Sequence, residues 1–477
     1  MRAHPPSLFH PVRQAISVAL LSPFALLLAS GAHAATAFDM PDDSFKGRVS
    51  VVDTPVVVPG TSVKLGGQDF KPGQEIRLTY GGLPLGSDTP VIVGADGKFR
   101  TEFIVPANAP TGQQPVVVNA LKPVASVIQT VKVSPEVPVS GESRFTVTPE
   151  KVAPGLYQSA YSAKSNAIYI TSAVGRPPVR QSQLIKVDAK NLYIDKAVIP
   201  SAAPADAGVF AVYGVAVDDV NGTVWVTNTH QNTVAVYRQS DLTLVKQFEP
   251  GLVPHARDVQ VDGKTGKAYA SAFGTTNVAV FDTKKLEFIK NIDIQSSIKP
   301  AGGPNRFGAA PKAFSPLSLK VDLVNHKLYS VSMGTNEVAI INTQTDEVEK
   351  VFPVEGALSA MGVAVSAKTN RLLVAAQGSD NLLIIDLATG KTLHDVKVGA
   401  GPLNVAVDSA RGWAYVSNRA AGTVTVVDLD GKIVANLPGG SYPNHVAEDG
   451  KGTVYLINKT RGSEDPEGDR VTRIIPR

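Results

Sequence analysis

The feature that most constrains this chain is a short pattern that returns seven times. It reads as an apolar residue followed by Ala, Val and Asp, a tight turn, Tyr-Val-x-Asn, a short loop and Val-x-Val-x-Asp. Clear copies begin at Gly214 and Asn404, and weaker ones at Gln158, Asp258, Ser318, Gly362 and His445. Anchored on Ser162, Asp218, Asp262, Asp322, Ser366, Asp408 and Asp449, the copies are spaced by 56, 44, 60, 44, 42 and 41 residues. A period of about 40–45 residues carrying four short alternating strands is the signature of a propeller blade, not of a helical repeat. The two long steps are read as insertions, at residues 173–183 with 200–210 and at residues 295–316.

Equivalent positions explain why such a repeat folds. Val215, Val259, Leu319, Val363, Val405 and Val446 share one site on the first strand of each copy, suited to filling the space between blades. Tyr169, Trp225, Tyr269, Tyr329, Tyr415 and Tyr455 share a site on the second strand, with Leu373 as the exception. An aromatic stripe at repeat spacing is packing rather than a cofactor box. The last copy has room for three strands only, whereas residues 144–148 form a spare strand ahead of the first copy. Pairing the two closes the ring and removes an exposed edge.

The runs Trp225-Val226-Thr227-Asn228, Tyr415-Val416-Ser417-Asn418 and Val424-Thr425-Val426-Val427-Asp428 resemble the YVTN-type repeat of the YncE-like exported β-propellers. The resemblance spans residues 143–477 and departs from the pattern at Leu373-Val374-Ala375-Ala376 and Tyr269-Ala270-Ser271-Ala272. It implies a periplasmic or surface-associated binding or scaffolding role and no shared reaction. Propellers host many unrelated activities, so function has to be argued from the site.

Ahead of the repeat, residues 47–135 carry short apolar alternations separated by Pro59-Gly60, Lys71-Pro72-Gly73, Ala95-Asp96-Gly97 and Thr111-Gly112, the pattern of a small all-β sandwich. Gln68-Asp69-Phe70-Lys71-Pro72-Gly73 and its neighbours resemble the Ig-like modules of bacterial exported proteins. Residues 136–142 read as a linker. The expected fold is therefore all-β: a seven-bladed β-propeller over residues 143–477 preceded by a small Ig-like β-sandwich.

Residues 1–34 read as an address. Arg2 and Arg13 precede or open an apolar run, and Ala32-His33-Ala34 supplies the small-x-small pattern cut by signal peptidase, so cleavage is expected after Ala34. The run is shorter than the roughly 20 residues a span requires, and Pro23 interrupts it. The mature chain is expected to be periplasmic, without a membrane span. With no Cys among 477 residues, disulfides, zinc–cysteine sites, iron–sulfur clusters, cysteine nucleophiles and lipoprotein anchors are all excluded. A net charge of +4 is too small over this length to argue for nucleic acid by itself.

Candidate site residues follow from the loops. The residues entering each first strand form a ring of Tyr157, Tyr213, Arg257, Leu317, Met361, Leu403 and Asn444. The next residues inward are Gln158, Gly214, Asp258, Ser318, Gly362, Asn404 and His445. Other loops expected on the same face add His230, Arg419, Lys459 and Arg461, and the long insertion adds Arg306 and Phe307. Guanidinium groups, imidazoles and aromatics in one place suit an anionic or aromatic ligand. Arg257 leads the assignment, being the one charge in the entry ring. Tyr213, Tyr442 and His445 flank it, with His445 as a proton-sensitive donor; Arg306 and Asn404 complete the set, and Asp258 is expected to hold Arg257 or a neighbouring blade.

The ligand is thus a small anion, a protein partner or single-stranded nucleic acid. The acidic run Glu464-Asp465-Pro466-Glu467-Gly468-Asp469 opposes a polyanion and lacks the glycine and closing Glu of a calcium loop. No H-x-H or H-x-x-x-H pair, no G-x-S-x-G and no phosphate loop occurs, so no catalytic residue, metal set or cofactor is assigned. The rival enzymatic expectation, by analogy with propeller lactonases and lyases, is metal-assisted chemistry in the channel using Asp258 and Asn404.

Overall fold

The computed structural model describes residues 44–298 and 313–477. The address segment and Arg306, with Phe307, lie outside the described residues. Among these residues no helix is long and apolar enough to cross a membrane.

Two sheets come first. Arg48–Val52, Ser62–Gln68 and Phe99–Ile104 form one; Glu75–Tyr80, Gly112–Leu121 and Ala125–Val133 form the other, with two short strands, Leu83–Leu85 and Val91–Ile92, that the sequence pattern did not reveal. Burial alternates along Ser62–Gln68, so Val63 and Leu65 face inward. They meet Ile76, Leu78, Val116 and Val118 of the second sheet in a shared core. Phe70 stands edge-on between Phe45 and Phe99, at ring separations of 5.1 and 5.0 Å.

Seven four-stranded antiparallel sheets follow. Their first strands are Leu156–Ser162, Val215–Asp218, Ala256–Asp262, Pro316–Asp322, Ala360–Ser366, Pro402–Asp408 and Pro443–Glu448. Each touches the next and the seventh touches the first, so they form a closed ring around an axis. The apolar clusters lie between sheets, not within them. Tyr169 and Leu184 of the first sheet pack on Val215, Val224 and Val226 of the second, and Leu156 and Ile168 pack on Tyr455, Ile457 and Val471 of the seventh. This is a β-propeller.

The repeated residues have separate tasks. In Asp218, Asp262, Asp322 and Asp408 one carboxylate oxygen accepts the backbone N–H groups two and three residues on, which fixes the turn into the second strand. The aromatic stripe is buried, and three of its tyrosines span sheets through their hydroxyls. Tyr169 donates to the carbonyl of Gln239 at 2.9 Å, Tyr269 to Asp346 at 2.9 Å, and Tyr455 to the carbonyl of Ala189 at 3.1 Å. Tyr415 has a buried hydroxyl with no partner among the described residues.

The spare strand is Phe145–Lys151. It pairs with Arg470–Pro476, in register from Lys151↔Arg470 to Phe145↔Pro476, and becomes the fourth strand of the seventh sheet. Phe145 is buried beside Tyr415 and Trp413 of the sixth sheet, and the Arg144 guanidinium lies 5.2 Å over the Trp413 ring.

One expectation is corrected. Residues 173–183 are only partly loop: the strands Ala167–Val174 and Gln181–Asp188 extend into them, with Val174 paired to Gln181, and residues 175–180 connect the two. A longer hairpin, together with the segment around residues 200–210, supplies the extra length.

Candidate functional site

Six of the seven first strands bulge where they begin, for example between Ala256 and Val259 and between Pro402 and Asn404. A bulge re-aims side chains away from the normal alternation. On four of these strands the residue after the entry position reaches the next sheet.

The inward residues tie neighbouring sheets together. Asp258 accepts the N–H of Leu319 on the fourth sheet at 2.8 Å, and Asn404 accepts that of Val446 on the seventh at 3.0 Å. Gln158 accepts the N–H of Val215 at 3.2 Å, and His445 Nδ1 accepts that of Ser159 at 3.3 Å. These four acceptors occupy equivalent positions and reach equivalent N–H groups. At two of the other junctions the position is glycine because the backbones touch: a Cβ on Gly362 would sit 2.8 Å from the Cα of Asn404, and one on Gly214 would sit 3.0 Å from the carbonyl of Arg257.

Asp258 thus meets the neighbouring sheet, one of the two roles expected of it. Asp258 and Asn404 spend their acceptors on the scaffold, although burial still pushes the Asp258 carboxyl up to about 6. His445 is no proton-sensitive donor. Burial, followed by the charges of Lys320 and Arg257, pushes its imidazole down to about 3, leaving it a neutral acceptor. Among the described residues no three His, Asp or Glu side chains converge as metal ligands would.

Below this level the axis opens into a cavity of about 270 Å³ lined by Ala160, Ala216, Ala406, Gln260, Lys320 and Glu448, with Asp258, Asn404 and His445 as its ceiling. None of the entry ring lines it. The mouth is a separate place, filled by cations and aromatic rings.

There Arg257 crosses from the third sheet to lie 5.1 Å over the ring of Tyr157 on the first, and Lys459 of the seventh lies 4.5 Å over the same ring. Tyr213 packs edge-on against Tyr157 at 4.9 Å, and His230 edge-on against Tyr213 at 5.4 Å. Tyr442 carries two more cations, Arg419 at 4.7 Å and Arg461 at 5.3 Å. Arg419 also donates to Asn444 at 2.5 Å, while the Asn444 amide donates to the carbonyl of Tyr157. Tyr213 therefore does stand by Arg257, through Tyr157, whereas Tyr442 belongs to Arg419 and Arg461.

The charge is unbalanced. Among the described residues none of Arg257, Arg419, Lys459 and Arg461 forms an ion pair with a carboxylate, and the buried Arg257 Nη1 has no hydrogen-bond partner. Burial, then Arg419, brings the Lys459 ammonium down to about 8; Asp469 opposes the shift and Arg257 adds to it. Burial also lowers Arg419. The acidic run offsets them only in part, Asp469 acting on Lys459 and Asp465 on Arg461 without an ion pair, while Asp469 Oδ1 accepts the N–H groups of Gly155 and Thr460 and Asp465 those of Arg461 and Glu467. Those carboxylates shape a loop.

Arg419, Lys459 and Tyr157 were not among the assigned site residues, although all three lie on the expected face. Their signal was present: Arg419 and Lys459 each follow the Asn that ends a second strand, at Asn418 and Asn458, where the second sheet has Thr229.

No family model matches the chain. The "Uncharacterized protein YncE" of Salmonella typhi is 23% identical over 340 residues, covering 68% of this chain and 89% of that protein. The protein of the same name from Escherichia coli O157:H7 is 23% identical over 293 residues, 60% of this chain and 65% of that one. Among solved structures, a streptogramin B lyase matches with a TM-score of 0.52 at 12% identity, over 70% of this chain and 98% of its own. The hydrazine synthase of Kuenenia stuttgartiensis matches with a TM-score of 0.51 at 16% identity, over 64% and 93%. The structural matches speak to fold alone; the repeat and the closed ring of sheets make this chain a β-propeller, and the sequence matches make it similar to the YncE proteins.

Proposed function

We propose that this is a periplasmic, non-enzymatic binding or scaffold protein that takes an anionic ligand at the mouth of the ring. Its organisation in this reading is a signal peptide, residues 1–34, an Ig-like sandwich, residues 47–135, a linker, residues 136–142, and a seven-bladed propeller, residues 143–477. The observation that carries the ligand class is the buried Nη1 of Arg257, without a hydrogen-bond partner among the described residues, within a group of four cations none of which forms an ion pair with a carboxylate there. A buried donor left unpaired costs about 1–3 kcal/mol, so an anion that satisfies it binds with that advantage.

Tyr157 and Tyr442 each already carry two cations. This favours a carboxylate or phosphate engaging the cations over bases stacking on the rings, and it ranks a small anion or an acidic partner above single-stranded nucleic acid. A channel lactonase or lyase is less well supported, because Asp258 and Asn404 are bonded to neighbouring sheets.

The test is the affinity of wild type, Arg257→Ala and Arg306→Ala for inorganic phosphate, a sugar acid, a nucleotide and a single-stranded oligonucleotide, at low and high salt. A charge-assisted bond is worth roughly 1.5–3 kcal/mol, so Arg257→Ala should weaken binding about tenfold or more. A steep salt slope confined to the oligonucleotide would favour the nucleic-acid reading. Unchanged affinity in both variants, or a ligand mapped to the opposite face, refutes this site.

A further inference from the structure

The N-terminal two-sheet unit touches the propeller beside the mouth, through the turn between the second and third strands of the fifth sheet. Gln113 Nε2 donates to the carbonyl of Gly378 at 3.3 Å, and Lys132 Nζ to that of Gln377 at 2.9 Å. Lys132 also meets the Asp380 carboxylate at 2.6 Å, and the Asp380 side chain is 2% exposed. A buried carboxylate with one cationic partner is a strong geometric restraint, because losing the partner leaves an uncompensated charge.

Asp380 does not stop there. The oxygen that meets Lys132 also accepts the N–H of Gly401 at 2.7 Å. Gly401 has φ of 70°, and its carbonyl accepts the N–H of Arg419 at 2.8 Å. A Cβ on Gly401 would lie 3.1 Å from that of Ala420, so the turn is closely seated on the Arg419 loop. From Arg419 the side chain continues to Asn444, and Asn444 to the carbonyl of Tyr157. An unbroken series of hydrogen bonds thus runs from the N-terminal unit into the cation group.

We propose that Lys132 is a positioning residue for Arg419: by holding Asp380 it holds the Gly401 turn, and with it the guanidinium at the mouth, so that the N-terminal unit is part of the binding site and not an independent module. The functional meaning rests on the anion reading above; the mechanical link does not. The linker strengthens it, because Asn436 of the sixth sheet exchanges backbone bonds with Ser140 and donates its amide to the carbonyl of Val137. The unit is therefore tied down at two places.

The experiment uses the full chain, with Lys132→Met and the conservative Lys132→Arg, and reads two quantities. The first is amide hydrogen exchange at Gly401 and Arg419, which should accelerate about tenfold in Lys132→Met and return toward wild type in Lys132→Arg, while Val405 and Val416 inside the sixth sheet stay protected. The second is affinity for pyrophosphate, which should fall about tenfold in Lys132→Met and recover in Lys132→Arg. Unchanged exchange at both amides, or equal acceleration across the whole sheet, overturns the positioning role. Local acceleration with undiminished pyrophosphate binding overturns it as well. If wild type binds no anion while exchange responds as expected, the anion reading is refuted and the link from Lys132 to Arg419 stands.

Discussion

The ring is held shut by one strand, and its removal has a size that can be worked out. Compare a chain beginning at residue 144 with one beginning at residue 152. Both lack the N-terminal unit; only the second lacks Phe145–Lys151. Its loss breaks a ladder of seven residue pairs with Arg470–Pro476. Antiparallel pairs carry on average about one backbone hydrogen bond per residue, each worth about 0.5–1.5 kcal/mol net. Phe145, 2% exposed, also leaves its cluster with Val424, Leu437 and Ile474, and deleting a buried Phe costs about 3–5 kcal/mol. The two effects overlap, because the ladder and the packing are lost together, so about 5–10 kcal/mol is expected. That is comparable with the whole stability of a typical domain, about 5–15 kcal/mol. In calorimetry the shorter chain should melt far below the longer one or show no cooperative transition at 25 °C. Equal melting temperatures would refute the idea that this strand closes the ring.

Three further outcomes follow from particular side chains. Anion affinity should decline as pH rises through about 8, where Lys459 loses its proton, and Lys459→Arg should abolish that decline in titrations from pH 6 to 10. The His445 imidazole is pushed below its ordinary 6.5 to about 3, so its contribution to stability is complete above pH 6.5 and is lost as pH falls. The difference in unfolding free energy between wild type and His445→Gln should shift against wild type by about 1.4 kcal/mol per pH unit below 6.5, and a pH-independent difference would contradict it. Tyr415→Phe, removing a buried hydroxyl without a partner, should be neutral or stabilising, whereas Tyr269→Phe, which loses bonds to Asp346 and Thr343, should cost about 1 kcal/mol in denaturant unfolding.

The architecture was legible because its causes are local and repeated. An Asp that fixes a turn, an aromatic that spans two sheets and a valine between them leave a trace at fixed spacing, and even the closing strand shows as a missing partner in the last copy. The hairpin at residues 167–188 was misjudged because a longer strand and an inserted loop lengthen the spacing equally. The mouth was legible as a ring of positions led by Arg257, but not in its contacts. Arg257 meets Tyr157 two sheets away, and Lys459 arrives from a third; no spacing along the chain encodes a meeting across an axis. Asn404 looked like a ligand contact because polar residues in a channel often are, whereas Asp258 was read first as a support and only in the rival reading as chemistry. That they serve as struts depends on which backbone N–H the neighbouring sheet presents, which only the packed ring decides.

The chain has two tryptophans. Trp225 is fully buried between the second and third sheets, beside Phe248 and Phe281. Trp413 lies half-buried where the closing strand meets the sixth sheet, with Phe145 against its ring and Arg144 above it. The molecule therefore carries its own optical gauge. Opening of the ring would hydrate Trp413 while leaving Trp225 in the dark, dry interior, so a red shift of about half the emission would mark loss of closure before any loss of the individual sheets. Time-resolved emission would then separate two events, unlatching and unfolding, that a single melting curve merges.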